Sequence, residues 1–522
     1  MLARNRFILL VVVGAVLAIV SLSLQFLHLI PTTPMAEERP PQDQGQVQGQ
    51  GKSRKRVIPV PPTEDPDPDP ITEAYGYCNT PDRSEQAWEG HSPVDYKLLS
   101  VQVMIRHGDR YPLYAIPKTK RPAIDCTLSP KRKPSHPQLK SFIGHMAQGG
   151  HGRWEGTLSS LPRLPNHSAC EMGELTQTGV VQHLRNGQLL RQAYKRHKLL
   201  PPDWSTKQVW VETTGRSRTL QSGMALLYGF LPDFDWSLLT VHHQWSTLFC
   251  GSACDCPARN PYLEEEQRRQ YRLRAADTEL ERTYADMART LGLPPRQLRA
   301  ANPIDSLLCH LCHGLSFPCV SAGSGGCLTL AQFAVIRRQQ LEDEVDRRKV
   351  GLYRRYAVLA MHPYLNRTAN RLERVAKAYA PGRKPRAGEE VFTLSSAHDV
   401  TVAPLLSALG LEEALFPRFA ARVVFELWKS PHATQGPRKG QRQSQNKASG
   451  VKGERSKGGN MFVRVLYNGE DVTFHTTFCR SHDRHATQPL CPLGNFLSFV
   501  RKDMFDVLNA TSYHDACFRR TG

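Results

Sequence analysis

The sequence is short of acidic residues and lacks the signatures of two common protein classes. Only 48 Asp and Glu residues accompany 68 Lys and Arg residues, which gives a net charge of +20 and favours anionic partners such as nucleic acid, anionic lipid or sulfated polysaccharide. No recognisable nucleic-acid-binding module is present, so a polyanionic glycan is preferred over DNA or RNA. The cysteine spacing matches no standard zinc finger. The 522 residues, 40% of them hydrophobic, are enough for one elaborated domain or two.

The N-terminus contains one long apolar segment, residues 7–30. As a helix rising ~1.5 Å per residue it would span roughly 36 Å, enough to cross a hydrocarbon layer of ~30 Å with some tilt. A cleaved signal peptide is the alternative, but no small-residue cleavage site follows the segment. Arg4 and Arg6 precede it, and the next basic residue is Lys52. This charge distribution predicts a signal anchor with residues 1–6 in the cytosol and the remaining chain in the lumen.

Thirteen cysteines fit an oxidising lumen, where most of them would pair and one would be left over. Two clusters, at residues 250–256 and 309–327, also allow a zinc site, with His310 and His313 nearby. Disulfides are the preferred interpretation because the spacing is irregular, and no metal is expected. Three Asn-X-Ser/Thr sequons are candidate glycosylation sites in the same compartment: Asn166, Asn366 and Asn509.

Composition divides the chain into a stem and a folded region. Residues 31–77 are rich in Pro, Gln, Gly and charge, and such a segment is predicted to be disordered. A basic run at residues 52–56 is either a solvated stretch or a processing site that releases the domain. Residues 78–522 are predicted to form the lumenal domain. Within it, residues 431–460 combine many basic residues with Gly, Gln and Ser, which predicts a disordered basic loop.

The folded region repeats a pattern of strand, polar turn and helix. Strands are predicted at residues 98–105, 208–213 and 391–395, and each leads into a polar motif. This arrangement predicts an α/β fold in which a sheet lies between helices on both faces, with chemistry at the carboxyl ends of the strands. Segments rich in Glu, Arg, Leu and Ala predict an inserted, mainly helical subdomain at approximately residues 231–390.

The first polar motif, Arg106-His107-Gly108-Asp109-Arg110-Tyr111-Pro112, places an imidazole between two guanidinium groups. Guanidinium binds phosphate oxygens in a bidentate manner, and neighbouring positive charge favours the neutral imidazole that can act as a nucleophile. Glycine lets the backbone approach a bound anion closely. The motif therefore predicts a phosphoryl-binding site, although an isolated Arg-His-Gly can also be a simple surface turn.

These residues resemble the RHGxRxP signature of the histidine acid phosphatases, and His398-Asp399 resembles the HD pair of the same family. Segments 173–179 and 217–222 resemble two further family elements in the same order. The resemblance implies a phosphatase without a cofactor, in which His107 is the nucleophile, Asp399 is the proton donor and His398 contacts the transferring group. It also implies three phosphate-binding arginines: Arg106, Arg110 and Arg218.

Phrases at residues 116–122, 171–179, 300–305 and 416–422 resemble Golgi members of this family. They imply removal of the 2-phosphate from xylose in the proteoglycan linkage region, which would promote glycosaminoglycan synthesis from a type II Golgi membrane protein. Glycosaminoglycan and glycosyltransferases of the same pathway are further candidate partners. A broad acid phosphatase or phytase-like enzyme would use the same motifs, and an inactive glycosaminoglycan-binding protein would share the basic charge.

Overall fold

The computed structural model describes residues 69–81, 87–150, 152–200, 205–232, 235–320, 326–380, 389–411, 416–431, 460–480 and 490–519. The predicted cytosolic tail, the anchor at residues 7–30, the stem as far as residue 68 and residues 432–459 of the basic loop lie outside these ranges. Among the described helices, none combines the length and the apolar character needed to span a membrane.

The strands of the described region form one mixed, nine-stranded sheet in the order β2-β4-β3-β5-β1-β6-β7-β8, with β9 paired to β7. The five strands from β2 to β1 in this order are parallel, and the others pair in antiparallel fashion. The strand bounds are β1 (Lys97–Arg106), β2 (Arg153–Trp154), β3 (Val209–Thr214), β4 (Thr240–Gln244), β5 (Phe392–Ala397), β6 (Arg422–Lys429), β7 (Met461–Tyr467), β8 (Glu470–Asp471) and β9 (Cys491–Pro492).

The helices lie on both faces of the sheet and in a separate group. Their bounds are α1 (Pro70–Cys78), α2 (Leu139–Ala147), α3 (Gln177–Lys195), α4 (Ser217–Phe230), α5 (Arg259–Ala276), α6 (Thr278–Leu291), α7 (Pro295–Ala300), α8 (Pro303–Cys312), α9 (Leu330–Lys349), α10 (Leu352–Ala378), α11 (Asp399–Leu409), α12 (Leu493–Arg501) and α13 (Tyr513–Phe518).

Alternation along the strands builds a core on each face of the sheet. On β1, Val101 and Val103 pack with α2, α3 and α4, whereas Met104 points to the other face and packs with α10, α11 and α12. On β6, Phe425 joins the second core and Trp428 the first. Successive side chains of a strand point to opposite faces, so a central strand covered on both sides is buried along its length and largely apolar. The predicted fold class, a sheet between two layers of helices, is confirmed.

A third core belongs to the helical subdomain and combines side chains of α1, α6, α7, α8 and α9. The helical subdomain contains less of the chain between residues 231 and 390 than the sequence predicted. Strand β4 belongs to the sheet, and α10 packs on the sheet through its apolar face. Strand β4 reads Thr-Val-His-His-Gln, so its shortness and polarity conceal it in the sequence.

The prediction of a disordered stem through residue 77 was wrong at its end, because α1 occupies Pro70–Cys78. Asp69 caps the helix by accepting a hydrogen bond from the backbone N–H of Thr72 at 2.8 Å, and proline is favoured at the first helical position. The side chains of Ala74 and Tyr77 are buried in the third core. The folded domain therefore begins at about Asp69 rather than at Cys78.

The cysteines pair as expected for an oxidising compartment, which confirms the preference for disulfides over zinc. Cys309 is the single free thiol and is buried. One bond joins α1 to the end of α8, and another joins the start of α5 to α13. The six disulfides are Cys78–Cys312, Cys126–Cys170, Cys250–Cys254, Cys256–Cys517, Cys319–Cys327 and Cys479–Cys491.

Candidate active site

The predicted catalytic motifs meet at one edge of the sheet. Strands β3, β5 and β1 are adjacent and parallel, so their carboxyl ends lie side by side. His107 follows β1, His398 and Asp399 follow β5, and Arg218 lies in the first turn of α4, just after β3. Three segments separated by more than a hundred residues are thus brought together by topology, as is typical of ligand sites in α/β sheets.

His107 is held with one ring nitrogen available. It is 2% exposed, and its backbone N–H donates to the carbonyl of Ala397 at 3.0 Å. The Nδ1 atom lies 2.8 Å from the carbonyl oxygen of Gly108. A carbonyl can only accept, so Nδ1 carries the proton and Nε2 keeps its lone pair. Burial, reinforced by the charges of Arg218 and Arg106, holds the pKa of His107 well below its usual value. The imidazole is therefore neutral at physiological pH.

Arg106 is fully buried in an aromatic cage. Its guanidinium lies 5.0 Å from the ring centroid of Tyr77 and 4.5 Å from that of Phe419. The Nη2 atom donates to the hydroxyl of Tyr77 at 2.8 Å and lies 3.2 Å from Oδ2 of Asp399. Nη1 donates to the backbone carbonyl of Pro417. These contacts fix the plane of the guanidinium, so Arg106 is oriented before any ligand arrives.

Arg110 is oriented by the helical subdomain. Its Nη2 and Nη1 atoms lie 2.8 and 3.4 Å from the two carboxylate oxygens of Asp305 on α8. Asp305 also accepts a hydrogen bond from the backbone N–H of Leu113 at 2.6 Å. The forked pairing of guanidinium and carboxylate sets direction as well as distance. Helix α8 therefore aligns an arginine of the catalytic loop.

Arg218 adds a third guanidinium that lacks a full set of partners. Its Nε atom is buried without a hydrogen bond, and burial together with the charge of Arg110 lowers its pKa to about 10. The Nη1 atom passes close to Gly173, where an added Cβ would lie 3.3 Å away. A half-buried cation whose Nε donor is buried and unsatisfied, placed beside two other cations, favours a bound anion. The cluster of Arg106, Arg110 and Arg218 is an anion site facing His107.

His398 and Asp399 complete the site from β5. The ring centroids of His398 and His107 are 5.6 Å apart, and Nε2 of His398 lies 2.9 Å from Oγ1 of Thr214. Burial, assisted by Arg218, lowers the pKa of His398 to about 3. Burial by itself would raise the pKa of Asp399, but Arg106 and Arg110 outweigh it and the pKa is lowered. In the ligand-free site both groups are thus deprotonated.

Asp109, between the two motif positions His107 and Arg110, fastens the loop. Its Oδ2 atom accepts hydrogen bonds from Thr176 Oγ1 at 2.5 Å and from His313 Nε2 at 2.7 Å. His313 follows α8 directly, so the same helix supports the catalytic loop at two points. Burial lowers the pKa of His313, but the carboxylate of Asp109 outweighs it and raises the pKa overall.

The structure brings together all six predicted site residues. The groups that orient them were not predicted from the sequence. The missed groups lie in α1, in β3, in α8 and directly after α8. The phrase at residues 300–305 carries a resemblance but no role, and His313 is named in the sequence only as a neighbour of a possible zinc site. The missed groups are Tyr77, Thr214, Asp305 and His313.

The three sequons differ in their surroundings. Asn166 and Asn509 are exposed, and Asn509 lies just after a short 3₁₀ turn. Asn366 is half-buried inside α10, and its sequon partner Thr368 is 1% exposed. The first two positions can carry a glycan without disturbing a helix, whereas the third cannot do so easily.

The sequence from residue 97 to residue 468 matches the histidine phosphatase superfamily (branch 2). The chain belongs to this family. Among curated relatives, the phosphatase is 65% identical to 2-phosphoxylose phosphatase 1 of Danio rerio, with 99% of each chain covered. It is 54% identical to the protein of the same name in Homo sapiens, again with 99% of each chain covered. Among solved structures, the apo form of the multiple inositol polyphosphate phosphatase of Bifidobacterium longum aligns with a TM-score of 0.47 at 14% sequence identity. The alignment covers 85% of this chain and 97% of that chain.

Proposed function

We propose that this phosphatase hydrolyses a phosphomonoester through a phosphohistidine formed on Nε2 of His107. The observation that carries the proposal is the position of a neutral imidazole, with Nδ1 bound to Gly108, beside a cluster of three guanidinium groups. Phosphoryl transfer depends chiefly on alignment and charge stabilisation. The cluster supplies both, because Arg106 and Arg110 are already oriented by Asp399 and Asp305.

The reaction follows two balanced steps. In the first, Nε2 of His107 forms a bond to phosphorus as the bond to the ester oxygen breaks, and the carboxyl of Asp399 gives its proton to the departing alkoxide. In the second, Asp399 accepts a proton from water, whose oxygen attacks phosphorus as the N–P bond breaks. Inorganic phosphate leaves and His107 is regenerated. The three arginines stabilise charge on the phosphoryl oxygens, and His398 contacts the same group.

The proposed substrate is the 2-phosphate of xylose in the glycosaminoglycan-protein linkage region. The support is the near full-length similarity to relatives named 2-phosphoxylose phosphatase 1. We further propose that residues 7–30 anchor the protein in the Golgi membrane in type II orientation, with the catalytic domain in the lumen. The six disulfides agree with an oxidising compartment.

The test compares the full chain on a linkage oligosaccharide carrying 2-phosphoxylose, an inositol phosphate and a phosphopeptide. We expect a clear preference for the oligosaccharide, and acid-labile phosphate trapped on His107. The His107→Ala variant should lose both turnover and labelling. A flat substrate profile would favour a broad acid phosphatase, and absence of turnover on all three would favour a glycan-binding protein. Label on another residue would remove the proposed mechanism.

A further inference from the structure

The mouth of the active site has an exposed aromatic residue that the mechanism does not use. Trp245 is 82% exposed and comes directly after β4, the strand next to β3. In the parallel register of these strands, Thr214 pairs with Gln244. The next residues, Gly215 and Trp245, therefore leave the sheet side by side. Thr214 forms a hydrogen bond with His398. Trp245 is therefore one strand away from Thr214, the residue that orients His398.

One further contact ties the segment after β4 to the active site. The backbone carbonyl of Thr247 accepts a hydrogen bond from Oγ1 of Thr401, and Thr401 lies in the first turn of α11, two residues after Asp399. Val400, between them, is 57% exposed. The exposed surfaces of Trp245 and Val400 thus belong to segments joined by a direct hydrogen bond. This hydrogen bond ties the segment that carries Trp245 to the helix that carries the predicted proton donor.

The support beneath Trp245 is closely packed. The ring centroids of Trp245 and His243 are 4.3 Å apart, and a Cβ added to Gly215 would lie 2.6 Å from Nε2 of His243. The turn that leads from β3 to Arg218 therefore rests on His243. Arg216 in the same turn is exposed, and its charge contributes to lowering the pKa of His398. Trp245 is therefore seated on the segment that carries the phosphate-binding arginine.

We infer that Trp245 is a saccharide subsite that packs against a sugar ring of the substrate, beside the turn that leads to the phosphate-binding Arg218. This inference rests on the proposed function, because it assigns the occupant from a sugar phosphate substrate. An indole face is flat and electron-rich, and the C–H face of a pyranose carries slightly positive hydrogens at its surface. The hydroxyl groups of such a sugar stay in water at the ring edge, which suits a platform that is open on one side.

A sugar fits these observations better than an acyl chain does. An acyl chain is bound in a groove that surrounds it, whereas Trp245 presents one open face. Lone exposed apolar residues are ordinary on protein surfaces. Trp245 differs because it packs on His243, which supports the turn that leads to Arg218.

The experiment measures KM and kcat of the full chain and of Trp245→Ala on two substrates, the linkage oligosaccharide carrying 2-phosphoxylose and nitrophenyl phosphate. Trp245→Ala should raise KM for the oligosaccharide about three- to tenfold, the range expected for loss of one aromatic contact. Its kcat and its parameters on nitrophenyl phosphate should stay within about twofold of the unchanged protein. Trp245→Tyr should restore most of the oligosaccharide affinity. Tyr271→Ala, at an exposed aromatic residue on α5 that is 74% exposed, is the matched control.

A second readout does not depend on turnover of the sugar phosphate. The unphosphorylated linkage oligosaccharide should compete with nitrophenyl phosphate in the unchanged protein and more weakly in Trp245→Ala. Equal KM values for the oligosaccharide in both proteins would overturn the subsite and leave the proposed function intact. Equal losses on both substrates would also overturn it, since they would indicate a structural role. A rise in KM of Trp245→Ala for lysophosphatidic acid alone would assign Trp245 to a lipid substrate instead. No turnover of 2-phosphoxylose by the unchanged protein would remove the proposed function itself.

Discussion

Nη2 of Arg106 lies 3.2 Å from Oδ2 of Asp399, so the predicted proton donor is ion-paired and deprotonated in the ligand-free site. A bound phosphoryl group changes this balance. Its negative charge competes for Arg106 and repels the carboxylate, and both effects raise the pKa of Asp399 from its lowered value. Substrate binding therefore favours protonation of Asp399. Before binding, the ion pair with Asp399 keeps Arg106 in place.

The first prediction follows from this linkage. Between the lowered pKa of the free site and the raised pKa of the complex, binding of a non-titrating dianion such as sulfate should take up a proton. Affinity for sulfate should then fall as pH rises through that window. The number of protons taken up is measured by titrating sulfate into the protein calorimetrically, in buffers of different ionisation enthalpy. Asp399→Asn should bind sulfate without proton uptake, and uptake that persists in this variant would assign the proton to another group.

A second prediction concerns Asp305, which orients Arg110 from α8. Removing its charge would by itself strengthen attraction for an anion, whereas loss of the forked contact misaligns the guanidinium. We expect misalignment to dominate, because phosphoryl transfer depends on geometry. Asp305→Asn should reduce kcat/KM roughly tenfold, equivalent to about 1.4 kcal/mol, near the lower end of the range for hydrogen bonds to charged groups. Glu281→Gln, which breaks the more exposed pair with Arg299, is the control. Unchanged or increased kcat/KM would contradict the assignment.

The sequence was sufficient to locate the residues that meet at the candidate site, because each motif is contiguous and follows a predicted strand. It was insufficient for their supports, which lie far away along the chain. Tyr77 is 29 residues from Arg106, Asp305 is 195 from Arg110, and His313 is 204 from Asp109. These contacts depend on how the helical subdomain docks on the sheet, and no local pattern encodes that docking. Helix α1 was missed because it is only nine residues long and begins directly after the acidic, proline-rich run of the stem.

A third prediction uses His183, which lies behind the catalytic strand with Nε2 3.1 Å from the carbonyl of Arg106. Burial lowers its pKa to about 3, compared with about 6.5 in the unfolded chain. The unfolded state therefore binds the proton first, and the free energy of unfolding falls as pH drops from about 6.5 toward about 3. This group alone should cost about 2–3 kcal/mol between pH 6.5 and pH 4.5.

The measurement is urea unfolding at the two pH values with the disulfides intact. His183→Gln keeps a donor for the Arg106 carbonyl but does not titrate, so the loss of stability on acidification should be smaller. It should not vanish, because the pKa values of His398 and His362 are also lowered, to about 3 and about 4. His514→Gln, at an exposed position, is the control and should show the full loss. Identical losses in His183→Gln and the unchanged protein would show that His183 is not the source.

A fourth prediction tests the lumenal placement and separates the three sequons. In secretory cells Asn166 and Asn509 should carry glycans, since both are exposed. Asn366 should remain unmodified, because its sequon lies inside α10 with Thr368 buried. Single Asn→Gln variants should increase gel mobility at the first two positions and leave it unchanged at the third. If glycosidase treatment does not alter the mobility of the unchanged protein, the lumenal placement is wrong.

The final prediction tests Asp399 as the general acid. A sugar hydroxyl is a poor leaving group unless it is protonated, whereas nitrophenolate departs readily without a proton. A positioned general acid typically contributes ~10²–10⁴-fold, so Asp399→Asn should lose about that factor in kcat on a sugar phosphate and much less on nitrophenyl phosphate. Asn cannot form the ion pair with Arg106, so sulfate affinity is measured in parallel and should be retained or increased. Because the donor must carry its proton in the complex, activity on the sugar phosphate should also fall as pH rises above the acid range. Equal losses on both substrates with sulfate binding intact would make Asp399 an electrostatic or structural support and would place the proton donor elsewhere.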